Sequence, residues 1–181
     1  DFDRNYLKNM TLLKVDDEEI NNLFKWSILK TRSFFTNTPE IGRGLMAGYS
    51  SSRKGWFAER PGYAWYFGRD SLFASLTLLY NGDFESVREN LKLLMQYQRV
   101  DGKIYHELTT SGFVHYDAAD STPLFIYIMY KYLMHTGDID FIKANYKNIM
   151  KAYDYCISTD LDKDFLIENT IAGHGWVEGG A

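Results

Sequence analysis

The feature that most constrains the fold is an alternation of two kinds of helical segment. Residues 71–80 and 121–135 are apolar on almost every side, which is typical of helices enclosed by other helices. Each is followed by a segment with a single apolar stripe, at 84–94 and 139–153, which predicts a helix with one face in water. The chain is therefore expected to be all-α and built from helical hairpins.

The two hairpins also match each other in sequence. Each contains a Gly-Asp turn, at 82–83 and 137–138, where glycine suits the end of one helix and aspartate the start of the next. Asn90, Lys92 and Met95 recur 55 residues later as an Asn, a Lys and a Met. A repeat of this length leaves long loops before the enclosed helices, at 36–69, 100–118 and 160–177. Residues 102–108 alternate briefly and predict a small ribbon.

Composition excludes several classes of protein. The net charge of −4 and the pI of about 5.6 give no basic surface, so we expect no nucleic-acid partner. The longest apolar run, 123–130, is far shorter than the ~20 residues that span a bilayer, so we expect no membrane partner. The single cysteine, Cys156, excludes an internal disulfide and fits a reducing compartment, which favours the cytoplasm.

No motif for a cofactor or a metal stands out. The glycines at 42–48 follow no strand pattern, and the histidines lack metal-ligand spacing, so we expect no cofactor. The run DLDKDFLIE at 160–168 is similar to a calcium loop. Phe165 replaces the glycine of such loops, however, and Ile171 stands where a bidentate Glu is required, so we expect no metal there.

Each long loop ends in a cluster of polar residues near the start of an enclosed helix. The clusters are Arg69 with Asp70, Asp117 with Asp120, and His174 with Trp176 and Glu178. If the enclosed helices are parallel, these clusters meet at one end of the helices. Aromatic residues make up 17% of the chain. Together with carboxylates and an Arg, aromatic rings suit a neutral, hydroxyl-rich ligand such as a sugar.

Glycosidic cleavage needs two carboxyl groups, one of which donates a proton. Glu178 is the candidate acid, because the apolar ring of Trp176 would raise its pKa by desolvation. Plain structural roles remain open at this point. Asp70 and Asp120 could cap helices, Glu178 could be a solvated loop residue, and other candidates, His106 and Glu107, could bond the backbone.

Five runs carry a resemblance to a known family: GYAWYFGRDS, DGKIYHE, YDAADSTPLFI, HTGD and GHGWVEGG. From about residue 40 onward the chain resembles the catalytic domain of amylo-α-1,6-glucosidases, which debranch glycogen, and of glucoamylase-like glycosidases. The resemblance implies an (α/α)6 toroid of six helical hairpins, present here as roughly its first half. It also implies that residues 1–16 are a linker from a missing N-terminal domain and 17–181 the N-terminal part of the catalytic domain.

The resemblance further implies roles for individual residues. Arg69 and Asp70 match the pair that holds the terminal glucose, Trp65 and Tyr66 match aromatic residues of that subsite, and Asp120 lies beside them. Glu178, after Trp176, matches the general acid. Debranching members often have Asp there, so the subfamily stays open between debranching, glucoamylase and trehalase types.

The implied reaction is hydrolysis of an α-glucan or oligosaccharide with inversion at the anomeric carbon. The general base is expected beyond residue 181, so the partner required is the remaining half of the same catalytic domain, and this chain alone is expected to be inactive. An alternative of another class is a non-catalytic helical-repeat scaffold, in which the clusters would spread along a concave face.

Overall fold

A computed structural model describes residues 2–49, 53–54, 59–60 and 63–168. Within this part the chain is mostly helical. The helices are α1 (Phe2–Leu7), α2 (Glu18–Ser33), α3 (Gly68–Asn81), α4 (Phe84–Gln96), α5 (Ser121–Thr136), α6 (Ile139–Ala144) and α7 (Tyr146–Ser158). The strands are β1 (Phe35–Thr38), β2 (Gly42–Leu45), β3 (Arg53–Lys54), β4 (Glu59–Arg60), β5 (Tyr66–Phe67), β6 (Glu107–Leu108) and β7 (Val114–His115).

Small antiparallel sheets occupy the segments predicted to be loops, so the all-α expectation is corrected to mostly helical. β1 pairs with β2, β3 with β4, and β5, β6 and β7 form a three-stranded sheet in that order. Only the ribbon within 102–108 was expected. A strand of two to four residues is too short to show an alternating pattern in the sequence. The strands form because their pairing gives hydrogen bonds to backbone groups that would lack partners in a buried loop.

The Gly-Asp turns are confirmed. Gly82 and Gly137 end α3 and α5 with φ of 90° and 67°, a left-handed conformation that glycine adopts at little cost. Asp83 and Asp138 accept hydrogen bonds from backbone N–H groups in the first turns of α4 and α6. The turns therefore fix how each enclosed helix passes into its outer partner.

The second outer helix differs from its prediction, because it breaks at Asn145 between α6 and α7. The matching residue, Asn90, lies inside α4 and bridges two elements: its Oδ1 accepts from Leu45 N at 3.1 Å and its Nδ2 donates to Ser75 Oγ at 3.1 Å. Asn145 instead donates to the Phe141 carbonyl of the helix before it. Equivalent positions in the repeat therefore serve different contacts.

α3 and α5 are parallel neighbours. At their first turns, a Cβ added to Gly68 would lie 2.2 Å from the Tyr105 carbonyl oxygen and 2.7 Å from Ser121 Oγ. At their far ends the rings of Tyr80 and His135 are 5.3 Å apart. The starts of both helices therefore lie at one end of the fold, which is where two of the polar clusters lie.

Within the described residues neither α3 nor α5 is enclosed on every side, and their enclosure by further helices stays a prediction. Each helix buries one side in the core, where Leu72, Leu78, Phe125 and Ile128 are at most 1% exposed. Large apolar residues on the other sides are 43–64% exposed and form what we call the apolar strip: Phe73, Tyr80, Tyr127, Tyr130 and Met134.

The N-terminal segment is attached to the turn between α3 and α4. Tyr6 OH donates to Asp83 Oδ2 at 2.7 Å, and Thr11 N donates to the Asn81 carbonyl at 2.8 Å. The assignment of residues 1–16 as an interdomain linker stays a prediction. Among the described residues, none of the helices combines the length and apolar character that crossing a bilayer requires.

Candidate functional site

An ion pair joins the first turns of the two parallel helices. Arg69 lies in the first turn of α3, Asp120 directly precedes α5, and Arg69 Nε donates to Asp120 Oδ2. The two side chains are 16% and 33% exposed. Asp120 occupies the N-cap position of α5, but its side chain makes no capping hydrogen bond. Its carboxylate is used for the contact between helices rather than for capping.

The other oxygen of this carboxylate has capacity for a hydrogen bond. Asp120 Oδ1 is buried and accepts no hydrogen bond from the described residues, and the same holds for the neighbouring Ser121 Oγ. A buried polar group without a partner costs about 1–3 kcal/mol. A ligand that brings a hydroxyl donor to this position would therefore gain free energy.

The sheet of β5, β6 and β7 brings two further candidates to the same end of the helices. Gly68 N donates to the His106 carbonyl at 2.8 Å, and in β6 Glu107 pairs with Phe67 on one side and with His115 on the other. Two contacts between a histidine and a carboxylate lie in and beside this sheet. His106 Nδ1 lies 2.7 Å from Asp117 Oδ1, and His115 Nδ1 lies 3.4 Å from Glu107 Oε2.

Phe67 is the centre of an aromatic group beside the ion pair. Its ring centroid lies 6.3 Å from that of Trp65, in a stacked arrangement, 5.7 Å from that of Tyr63 and 5.7 Å from that of His106. Phe67 is 4% exposed, whereas Trp65 is half-buried. Sequence reasoning missed Phe67, because nothing distinguishes it from its aromatic neighbours in this run.

Tyr66 and Asp70 occupy contrasting environments. Tyr66 is fully buried in the core, and its hydroxyl is 2.7 Å from Thr38 Oγ1. Burial raises the pKa of Tyr66. Its place in the core suits support of the site rather than contact with a ligand. Asp70 is exposed in the first turn of α3, where a carboxylate is favoured by the helix dipole.

Lys103 is a buried cation that sequence reasoning missed, because lysine in a loop is usually exposed. It has no exposed surface, and its Nζ lies 5.5 Å from the ring centroid of Tyr155. Burial and the nearby Arg99 guanidinium lower the pKa of Lys103 to about 8, although the carboxylates of Asp101 and Asp117 act in the opposite direction.

The structure thus brings together candidates from the first two clusters: Arg69 and Asp120, with His106, Glu107 and Trp65 nearby. Glu178 and Trp176 lie outside the described residues, as does His174. The assignment of the general acid and of its apolar neighbour stays a prediction.

Among the residues that the structure describes, one group of acidic side chains has the proximity needed for a cation. The ligand oxygens of Asp160, Asp162, Asp164 and Glu168 lie within 4.8 Å of one another. The fourth carboxylate is Glu168 and not a residue at position 171, and Phe165 has the left-handed φ of 71° for which a calcium loop uses glycine. Backbone N–H groups of the same loop donate to these carboxylates. The expectation that no metal binds stays a prediction.

The described part of the chain is therefore a mostly helical domain with an Arg–Asp pair, further carboxylates and aromatic rings at one end of two parallel helices. The model of the amylo-alpha-1,6-glucosidase family matches residues 29–176, which is most of the chain. The chain belongs to the amylo-alpha-1,6-glucosidase family. A comparison with curated proteins found no match.

Proposed function

We propose that the protein is an inverting glycoside hydrolase of the α-1,6-glucosidase type, which releases glucose from α-glucans during glycogen debranching. The observation that carries the proposal is the Arg69–Asp120 pair with the buried Asp120 Oδ1 beside it. A sugar hydroxyl both donates and accepts hydrogen bonds. It can therefore donate to Asp120 Oδ1 while its oxygen accepts from the guanidinium, which has five N–H donors.

The neighbouring residues suit the other surfaces of a glucose ring. Trp65 is half-buried and offers an aromatic surface on which the C–H face of a sugar can stack. We assign His106 and Glu107 to further polar contacts with the sugar, and the exposed Asp70 to a hydroxyl near the solvent. In this proposal Tyr66 positions β5 from within the core and does not contact the sugar.

In the proposed reaction, Glu178 protonates the glycosidic oxygen, and Trp176 keeps the acid protonated by excluding water. A second carboxylate activates a water molecule on the opposite face of the sugar. We assign that base to the remaining half of the same domain. The apolar strip supports this assignment, because exposed apolar surface of this kind is covered when further helices pack against α3 and α5.

The test uses the full-length protein with isomaltose, maltose and trehalose as separate substrates. We expect hydrolysis of isomaltose, with β-glucose as the first product detected by proton NMR. Glu178→Gln is expected to lower kcat at least about 100-fold, because general acid catalysis contributes factors of that size. Normal turnover by this variant, or release of α-glucose, would refute the mechanism. Preference for maltose or trehalose would assign the protein to the glucoamylase or trehalase type.

The binding role is tested separately with Asp120→Asn, which keeps the size of the side chain and removes its charge. The control is Asp101→Asn, because Asp101 is similarly exposed and pairs with Arg99 in the loop after α4. We expect about tenfold weaker isomaltose binding for Asp120→Asn, which corresponds to about 1.4 kcal/mol, and no change for the control. Equal affinities would support the scaffold alternative, in which these residues bind no sugar.

A further inference from the structure

One short segment, residues 104–106, connects the starts of α3 and α5 through its backbone. At one end Ile104 N donates to Thr122 Oγ1 in the first turn of α5, at a distance of 3.0 Å. At the other end the His106 carbonyl accepts from the N–H of Gly68, the first residue of α3, at 2.8 Å. The segment therefore holds the start of one helix at each of its ends.

The Arg69–Asp120 ion pair completes a closed ring of contacts. Arg69 directly follows Gly68, and Asp120 precedes Thr122 by two residues. From the ion pair the ring runs along α5 to Thr122, across the hydrogen bond to the segment 104–106, and back through Gly68 to Arg69. Because the covalent stretches between these contacts are very short, a change in one contact is transmitted to the others.

The ring lies in a part of the core that leaves little room for adjustment. Ile104, Tyr105 and Thr122 have no exposed surface, and a Cβ added to Gly68 would lie 2.2 Å from the Tyr105 carbonyl oxygen. Water has no access to Ile104 N. A side chain without an oxygen at position 122 would therefore leave this N–H without an acceptor, and the segment would have to shift to find another.

We propose that Thr122 is a positioning residue of the proposed sugar-binding site: its hydroxyl holds the segment 104–106 and thereby fixes the separation of Arg69 and Asp120. The inference rests on the proposed function for the identity of the ligand. Thr122 itself is buried and does not contact the sugar. Loss of its oxygen is expected to loosen the ion pair first and to weaken sugar binding as a consequence.

The first measurement reports the ion pair without any ligand. It follows the exchange of the Arg69 Nε proton with water, by proton–nitrogen NMR of the full-length protein labelled with 15N-arginine, and Arg69→Lys identifies the signal. Thr122→Val keeps the shape of the side chain and removes its oxygen, and we expect the exchange to become at least about threefold faster. Thr122→Ser retains the oxygen and is expected to keep the slow exchange.

The matched control is Thr136→Val at the far end of α5. Thr136 Oγ1 also accepts from a backbone N–H, that of Asp138, at 3.1 Å. This variant loses a bond of the same kind but lies outside the ring. We expect the Arg69 exchange and the affinity for isomaltose to stay as in the wild type.

The second measurement is isothermal titration calorimetry with isomaltose. We expect Thr122→Val to bind about threefold to tenfold more weakly, the range for one hydrogen bond, and Thr122→Ser to bind as the wild type does. A double-mutant cycle with Asp120→Asn tests whether Thr122 acts through the ion pair. If it does, adding Thr122→Val to Asp120→Asn weakens binding by less than about twofold further.

Unchanged exchange or unchanged isomaltose affinity in Thr122→Val would overturn the proposal, and so would losses of affinity that simply multiply in the double variant. If Thr122→Val fails to fold by near-ultraviolet circular dichroism, Thr122→Ala, which also lacks the oxygen and is smaller, decides by the same criteria. Failure of the wild-type protein to bind isomaltose would instead refute the proposed function. The exchange rates would still decide whether Thr122 holds the ion pair.

Discussion

Gly68 is the position at which the packing of the helices and the geometry of the site depend on the same atoms. A Cβ added there would lie 2.2 Å from the Tyr105 carbonyl oxygen and 2.7 Å from Ser121 Oγ. Ordinary contacts of a Cβ begin at 3.4 Å, so the substitution Gly68→Ala requires a shift of about 1 Å. The closest atom belongs to the backbone, so a side-chain rotation cannot relieve the overlap.

The magnitude follows from two opposing effects. Overpacking of a well-packed site costs about 1–3 kcal/mol, and the upper end applies where backbone must move. Alanine also restricts the unfolded chain, which stabilises the folded state by about 0.4–1 kcal/mol. The net loss in the free energy of unfolding is therefore about 2 kcal/mol. For a chain of this length that loss lowers the melting temperature by roughly 4–8 °C.

Urea denaturation followed by circular dichroism measures the loss directly. The matched control is Gly48→Ala, whose Cβ would lie 3.3 Å from Tyr63 Cβ, so a shift of a few tenths of an ångström is sufficient. The control is expected to stay within about 0.5 kcal/mol of wild type. Because Arg69 follows Gly68, the variant is also expected to bind isomaltose more weakly. A Gly68→Ala protein as stable as the control would refute the close approach of Gly68 to the Tyr105 carbonyl and to Ser121 at the start of α5.

Two further variants probe buried polar groups. Asn90→Ala is expected to lower the free energy of unfolding, measured in urea, by about 2 kcal/mol, because Leu45 N and Ser75 Oγ each lose the hydrogen bond to the Asn90 amide. Asn145→Ala is the control and is expected to lose about 0.5 kcal/mol, because the Asn145 amide donates to the carbonyl of Phe141 in the helix directly before it. Equal losses in the two variants would contradict the bridging role of Asn90. The free energy of unfolding of the wild type is expected to rise by about 1–2 kcal/mol between pH 8 and pH 10. The pKa of Lys103 is about 8 in the folded state and about 10.4 in the unfolded chain, so in this pH range the unfolded chain binds more protons than the folded state does. Above pH 10 the raised pKa values of buried tyrosines reverse the trend. In Lys103→Met the free energy of unfolding is expected not to rise between pH 8 and pH 10. If the free energies of the variant and the wild type instead change with pH in parallel, the pKa of Lys103 is not lowered in the folded state.

The helical hairpins could be predicted because their signals are local. Gly82 and Asp83 end one helix and begin the next through their own backbone and side-chain chemistry. The small sheets could not, because β5 contains two residues and its partner begins at Glu107. Strand pairing over that distance leaves no periodic pattern in either segment.

The site was predicted to the level of residue clusters but not of contacts. Periodicity placed Arg69 and Asp120 near the starts of parallel helices, but the choice between capping and an ion pair depends on side-chain geometry. Both residues of β5 are buried, so Tyr66 and Phe67 show no alternation that a strand pattern could have indicated. Burial of Lys103 contradicts the usual preference of lysine, and the Tyr155 ring that its ammonium lies over belongs to a helix about 50 residues further along the chain, so sequence alone could not indicate it.

The central claim is that Arg69 and Asp120 together hold a glucose unit at the starts of α3 and α5. A crystal structure of the full-length protein with isomaltose tests this claim most directly. We expect one sugar hydroxyl within hydrogen-bond distance of both Asp120 Oδ1 and the Arg69 guanidinium. Sugar bound elsewhere on the protein, with Asp120 Oδ1 making no contact to it, would contradict the claim.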